Sequence, residues 1–249
     1  MNTIALTASS GTPGTTARGL QPAQRTAARL AGALYLGTMA AAVFVELSVR
    51  GRLFVSGDAA ATARNIAASE LLFRAGFVTD LLMYAAVAAL VVALYVVLRP
   101  IDRNLALLAA VWRLVENAVL MVATLGLALA AVVLGGADYL SAFEPEQLQG
   151  LARLSLSFWG TGHRVGMVLL GLGSALFSYL WLRSRYIPRG LAAWGILSSL
   201  LLATVSALVL VLPSLGLALG MTYMAPMGIY EVGLGLWLLV KGIREPTAV

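Results

Sequence analysis

Six long runs of apolar residues, separated by short polar segments, dominate the pattern of this chain. Each run is continuously apolar over about twenty residues, the length that a helix needs to cross a hydrocarbon core of roughly 30 Å. The alternating pattern of membrane-barrel strands is not seen. The sequence therefore predicts an all-α, polytopic membrane helix bundle with about six transmembrane helices, spans one to six, at residues 28–48, 75–98, 105–134, 154–182, 190–212 and 217–240.

The segments around the spans predict the domain organisation. Residues 1–24 are rich in Ser, Thr, Gly and Ala and carry one charge, Arg18, which indicates a disordered cytoplasmic tail. Residues 25–244 form a single transmembrane helical domain, and residues 245–249 form a C-terminal tail.

Two of the connections carry helix-start signals. Residues 56–73 predict a helix capped by Asp58, with Glu70 and Arg74 at i,i+4 spacing. Ser141 and Glu144 have the spacing of a capping box, followed by Pro145 in the first turn of a helix.

Composition and loop charge agree with a membrane location. The chain is 60% hydrophobic and 11% charged, whereas soluble domains carry roughly a quarter charged residues. With six spans, five basic residues (Arg50, Arg52, Arg64, Arg74 and Arg153) fall on one side. The other side receives ten: Arg18, Arg25, Arg29, Arg99, Arg103, Arg183, Arg185, Arg189, Lys241 and Arg244. The positive-inside rule then places both termini in the cytoplasm and the protein in the cell inner (plasma) membrane.

Several function classes are disfavoured. The net charge of +6 is spread over helix ends and loops rather than gathered into a patch, so no nucleic-acid partner is expected. The chain has no cysteine, one histidine, no Gly-rich phosphate loop and no zinc motif, so we predict no cofactor and no metal. The expected partners are the lipid bilayer and a small lipophilic ligand, while the oligomeric state is left open.

Ionisable residues inside the apolar runs are the candidate site. Such groups usually face the bundle interior, pair with one another or line a water-filled path. On span three, Arg113, Glu116, Asn117 and Thr124 share one stripe, because separations of 3, 4 and 11 residues return to one helical face. The candidates for a substrate or proton site are Glu46, Asp80, Arg113, Glu116, Asn117, His163, Arg164 and Glu231.

The remaining candidates lie on other spans. On span four, His163 shares a face with Met167, with Arg164 at its edge, and on span six Glu231 shares a face with Met227 and Gly228. Pro226 predicts a kink that frees a backbone carbonyl near Glu231. Glu46 and Asp80 should lie nearer the outer surface.

The balance of these charges points to proton chemistry. Four carboxylates, two arginines and one histidine leave excess negative charge if every carboxylate is ionised. At least one carboxyl is then expected to stay neutral, as proton coupling or general acid catalysis requires. The catalytic role is open, with Glu116, Glu231 and Asp80 as candidates.

The chain also resembles bacterial membrane proteins grouped as domain of unknown function 4386, over about residues 25 to 240. The resemblance implies a compact multi-span domain that includes Glu46, Glu70, Arg74, Asp80, Arg113 and Glu116, and it implies no catalytic assignment. It is carried by the segments 29–36 (RLAGALYL), 44–46 (FVE) with Arg50, 57–63 (GDAAATA), 69–74 (SELLFR), 80–81 (DL), 98–100 (LRP), 104–110 (NLALLAA), 113–116 (RLVE) and 139–143 (YLSAF).

Three functions fit these observations. The leading one is a membrane protein that binds or moves a small lipophilic or weakly charged solute through a buried polar site, with proton coupling as an option. The second is a membrane-embedded acid–base enzyme, a cyclase or isomerase acting on an isoprenoid or lipid, which needs an aromatic-lined pocket. The third is a structural or regulatory membrane subunit, in which the buried charges only tie helices together.

Overall fold

The predicted helical bundle is confirmed by a computed structural model that describes residues 20–55, 58–135, 140–220 and 222–245. Within these residues there is no strand. The helices are α1 (Pro22–Phe44), which continues through a π-helical turn (Val45–Arg50) into the single turn α2 (Gly51–Leu53); α3 (Ala59–Ala68); α4 (Glu70–Leu98); α5 (Arg103–Leu134); α6 (Pro145–Ser184); α7 (Arg189–Val211); α8 (Pro213–Leu219); and α9 (Ala225–Val240), which follows a 3-10 turn (Thr222–Met224).

Six of these helical segments are long and apolar enough to cross a membrane, so the chain is a multi-pass membrane protein. Span one is Pro22–Leu53, spans two to five are α4 to α7, and span six is Thr222–Val240. Span six begins at residue 222 rather than 217, because the chain forms α8 and then turns at Gly220, whose φ is +53°.

The structure describes only part of the segments to which the predicted tail and the loop charges belong. Residues 1–19 and 246–249 lie outside the described residues, and residues 22–24, which were assigned to the tail, belong to α1. The cytoplasmic placement of both termini stays a prediction.

The six spans form a closed ring. Each span packs against the next one in sequence, and span six returns to pack against span one. Tyr230 of span six reaches across to span four, where its hydroxyl accepts a hydrogen bond from Ser178 at 3.0 Å. In this arrangement all six spans have one face toward the centre of the ring.

Spans one and six approach most closely at one end. A Cβ added to Gly32 would lie 2.5 Å from the backbone nitrogen of Leu239 and 2.8 Å from the carbonyl oxygen of Gly235. No side chain fits at that distance, so glycine at position 32 is required for this contact.

Three features of the sequence were predicted to act at or near helix ends, and the structure shows where each one lies. Asp58 caps α3 as expected, by accepting a hydrogen bond from the backbone of Ala61 at 2.8 Å. The capping box lies three residues later than predicted: Glu144 is the N-cap of α6 and Gln147 its partner, because Pro145 starts the helix. Pro226 also stands in a first turn, so it produces no kink inside span six.

Asp102 caps span three outside the membrane-spanning segments. Its side chain accepts a hydrogen bond from the backbone of Leu105 at 3.0 Å and pairs with Arg183 at 3.1 Å. The hydrogen bond from Leu105, followed by the contact with Arg183, lowers the pKa of the Asp102 carboxyl. The carboxylate thus stays charged at the helix N-terminus, where negative charge is favoured.

Candidate functional site

A cavity of about 420 Å³ lies inside the ring, and every span contributes to its wall. Pockets that hold small molecules usually measure roughly 300–1,000 Å³. Of the eight predicted site residues, six line this cavity: Glu46, Arg113, Glu116, Asn117, His163 and Glu231. The cavity therefore brings together residues that are far apart in sequence, from spans one, three, four and six.

One ionic cluster, formed by Glu46, Arg50 and Asp80, lies at one end of the cavity. The Arg50 guanidinium is 2.6 Å from Asp80 Oδ2 and 3.4 Å from Glu46 Oε2. Asp80 is buried beneath Arg50 and does not reach the cavity wall, whereas Glu46 does. The guanidinium also lies 5.4 Å from the ring centre of Trp159, a cation–π distance.

Arg50 is the site residue that sequence reasoning missed. It was placed in an outer loop, but it belongs to the π-helical turn of span one and its side chain is largely buried. Such turns carry one extra residue and are frequent at functional sites. The i,i+4 spacing of Glu46 and Arg50 was the available signal.

A second ionic pair, Arg113 with Glu116, occupies the predicted stripe of span three. Arg113 Nη1 is 3.3 Å from Glu116 Oε2, and both side chains are about 95% buried. The contact does not have hydrogen-bond geometry, so these two atoms, and Asn117 Oδ1 next to them, have no hydrogen-bond partner among the described residues. Buried polar atoms of this kind call for an explanation, and a bound polar group provides one.

Polar contacts next to the pair of Arg113 and Glu116 join span three to span two. Asn117 donates a hydrogen bond to the backbone carbonyl of Tyr84 at 3.0 Å, and the Tyr84 hydroxyl lies 2.9 Å from Thr124 Oγ1. The whole predicted stripe is buried, and these bonds fix its orientation toward the centre of the ring.

Glu231 differs from the other three candidate carboxylates, Glu46, Asp80 and Glu116, because it has no ion-pair partner within 4.0 Å in the described part of the chain. It lines the cavity together with Met224, Met227 and Gly228, as the face of span six predicts. The charged groups near it are Arg113 and Glu116 of span three.

Of the two predicted site residues on span four, His163 lines the cavity and Arg164 does not. His163 lines the cavity and lies against Trp159, with 5.7 Å between the ring centres. Arg164 is exposed and does not line the cavity. Successive residues of a helix point about 100° apart, which places Arg164 on another face.

Methionine and aliphatic side chains form most of the remaining wall. Five of the eight methionines in the sequence line this one cavity: Met39, Met83, Met167, Met224 and Met227. Methionine is flexible and polarizable, and it is common at surfaces that accept ligands of varied shape. Among the described residues, Tyr35 and Tyr84 contribute the aromatic rings of the wall beside His163.

The exposed residues of the cavity wall are Val43 of span one and Ala225 of span six, which places its opening between these two spans. Gly32, Leu36 and Val43 share one face of α1, because separations of four and seven residues return to the same side. Gly32 and Leu36 contact Gly235 and its neighbours on span six, but Val43 is 47% exposed. The two spans therefore separate toward Val43, where the cavity reaches the surface.

A larger groove of about 790 Å³ lies outside the ring, between α3, α4 and α5. Its charged residues are Glu70 and Arg74, which are exposed and pair with each other at 2.6 Å as their spacing predicts. No buried charge among the described residues lines this groove, so the central cavity is the better candidate site.

Comparison with known proteins identifies a family but no relative of known activity. A family model described as Domain of unknown function (DUF4386) matches residues 30–242. No curated protein and no solved structure matches the chain. The match includes every residue of the two ionic clusters and Glu231.

Proposed function

Since the chain belongs to this family of unknown function, we propose its function from its own cavity: it binds or moves a small lipophilic or weakly charged solute. The cavity lies within a ring of membrane spans, and its exposed wall residues, Val43 and Ala225, lie on spans one and six, so we infer that it opens between these spans toward the lipid. A solute dissolved in the bilayer reaches such an opening directly. We place the protein in a bacterial inner membrane, with both termini in the cytoplasm, on the basis of loop charge.

The observation that carries this proposal is a buried ion pair and a neighbouring amide oxygen that lack hydrogen bonds among the described residues, in a mostly apolar wall. Arg113 Nη1, Glu116 Oε2 and Asn117 Oδ1 are buried at the cavity without hydrogen bonds among the described residues. Ligand sites typically combine an apolar lining with a few such polar groups, which orient the ligand. The pair lies within one helix, at i,i+3 spacing, so it does not itself tie two spans together.

Proton coupling through Glu116 and Glu231 is the second part of the proposal. Of the described residues, the cavity and its adjoining cluster contain the carboxylates Glu46, Asp80, Glu116 and Glu231 and the two guanidiniums of Arg50 and Arg113. Even a protonated His163 leaves one negative charge in excess. A proton taken up by Glu116 or Glu231 reduces that excess, and a solute that occupies the same place competes with the proton.

Substitution of the two carboxylates tests the proton role. The affinity of the purified protein in lipid nanodiscs for the uncharged dye N-phenyl-1-naphthylamine would be measured between about pH 5 and 9. We expect the affinity to change with pH in the wild type and to change less in Glu116→Gln and Glu231→Gln. The exposed Glu70→Gln is the control. If both cavity variants keep the wild-type affinity and pH profile, the proton role is wrong.

The enzyme hypothesis gains no support from the cavity. An acid-initiated cyclase stabilises carbocations with aromatic rings, but none of the five tryptophans lines the cavity. In the part of the chain that the structure describes, its Tyr and Phe side chains are Tyr35 and Tyr84 alone.

A further inference from the structure

We propose that the natural occupant of the cavity is a lipophilic cation, such as a substituted ammonium compound. This inference rests on the proposed function and specifies the chemical class of the solute. It follows from three features of the wall: the sign of its unpaired charge, the buried Glu116 oxygen that has no hydrogen bond, and the polarizable lining.

The unpaired charge of the cavity is negative. Each guanidinium already has a carboxylate, since Arg50 pairs with Asp80 and Arg113 with Glu116. Glu231 has no ion-pair partner within 4.0 Å in the described residues, and Glu46 contacts Arg50 only at 3.4 Å. An anion would add to this excess negative charge, whereas a cation offsets it.

A second feature is independent of Glu231. Glu116 is 97% buried, lines the cavity and keeps Oε2 without a hydrogen-bond partner among the described residues. An ammonium group between Glu116 and Glu231 would interact with two carboxylates from different spans. Two acidic side chains, one from span three and one from span six, therefore line the same cavity.

The rest of the wall suits the apolar substituents of such a cation. Methionine sulfur is polarizable and adapts its shape to bulky groups, and the rings of Tyr35 and Tyr84 offer negative π-faces. Gly228 faces the cavity with no atom within 4 Å of an added Cβ, so space remains next to Glu231.

The test compares probes of similar shape and different charge. Binding of tetraphenylphosphonium, tetraphenylborate and uncharged triphenylphosphine oxide would be measured by equilibrium dialysis in phosphatidylcholine nanodiscs, with empty nanodiscs subtracted. We expect saturable binding of the cation, at least about tenfold tighter than of the other two probes. Glu231→Gln should lose this preference, while the exposed Glu70→Gln keeps it.

The other outcomes distinguish failure of the cation inference from failure of the proposed function. Equal or tighter binding of the uncharged or anionic probe overturns the cation inference and leaves the proposed function intact. Absence of saturable binding for all three probes overturns both. If Glu231→Gln does not fold, as judged by size-exclusion chromatography, Gly228→Leu replaces it, and unchanged cation binding in that variant overturns the location in this cavity.

Discussion

At the scale of single residues, Arg50 and Asp80 carry the strongest ionic contact of the cavity region. Their atoms are 2.6 Å apart, and the Asp80 side chain is only 3% exposed. Removing one partner of a buried pair leaves an uncompensated charge, which costs far more than losing an exposed pair. The exposed pair of Glu70 and Arg74 has the same 2.6 Å separation and provides a matched comparison.

We predict that Asp80→Ala lowers the free energy of unfolding by about 3–5 kcal/mol, because Arg50 is left without its main counter-charge. Glu70→Ala should lower it by no more than about 1 kcal/mol, because water solvates Arg74. Titration with a denaturing detergent measures both values. Equal losses in the two variants would show that Arg50 is solvated rather than buried.

Sequence spacing predicted some of these residues and not others. Arg113, Glu116 and Asn117 were found because a regular helix fixes which positions share a face. Arg50 was missed because its position depends on a π-helical turn, and the extra residue of that turn is a backbone feature that composition does not reveal. Adjacency to His163 was misleading for Arg164, which lies about 100° around the helix.

At the scale of helices, the contact between spans one and six depends on backbone proximity at Gly32. Gly37, on the same helix, has no atom within 4 Å of an added Cβ. The two glycines therefore separate the effect of packing from that of helix propensity.

Gly32→Ala is expected to destabilise the protein by about 1–3 kcal/mol, because the new methyl group overlaps the backbone of span six. Gly37→Ala should be neutral or stabilising by up to about 1 kcal/mol, since alanine favours the helix. Thermal unfolding in detergent tests the pair. A stable Gly32→Ala protein would mean that spans one and six are not packed as described.

Helix existence was predictable, whereas helix ends were less so. Continuous apolar runs identified all six spans, because the bilayer requires about twenty apolar residues. The capping box moved from Ser141 to Glu144 because Pro145 fixes the first helical residue, a local competition between two start signals. Span six started later than predicted because the apolar stretch before it forms the separate helix α8.

At the scale of the whole molecule, the ring of spans could not be derived from the sequence. Periodicity shows which face of a helix is polar, but it does not show which helix lies opposite. The closing contact between spans one and six joins residues about 200 positions apart, such as Gly32 and Leu239. Only the assembled ring places Glu46 and Glu231 in one cavity.

The orientation of the ring is predicted by loop charge and is open to direct measurement. The chain contains no cysteine, so single cysteines can be introduced without background. In right-side-out membrane vesicles, we expect a membrane-impermeant maleimide to label Glu146→Cys directly and Asn104→Cys only after the membrane is disrupted. The reverse labelling would contradict the cytoplasmic placement of both termini.

The central claim is that the space inside the ring binds a lipophilic solute, and filling that space tests it most directly. Saturable binding of N-phenyl-1-naphthylamine would be measured in nanodiscs for the wild type, for Gly228→Leu, whose side chain enters the cavity, and for Gly37→Leu, whose side chain does not line it. The account predicts that Gly37→Leu binds like the wild type and that Gly228→Leu binds at least about tenfold more weakly. Equal affinity of all three proteins would contradict it.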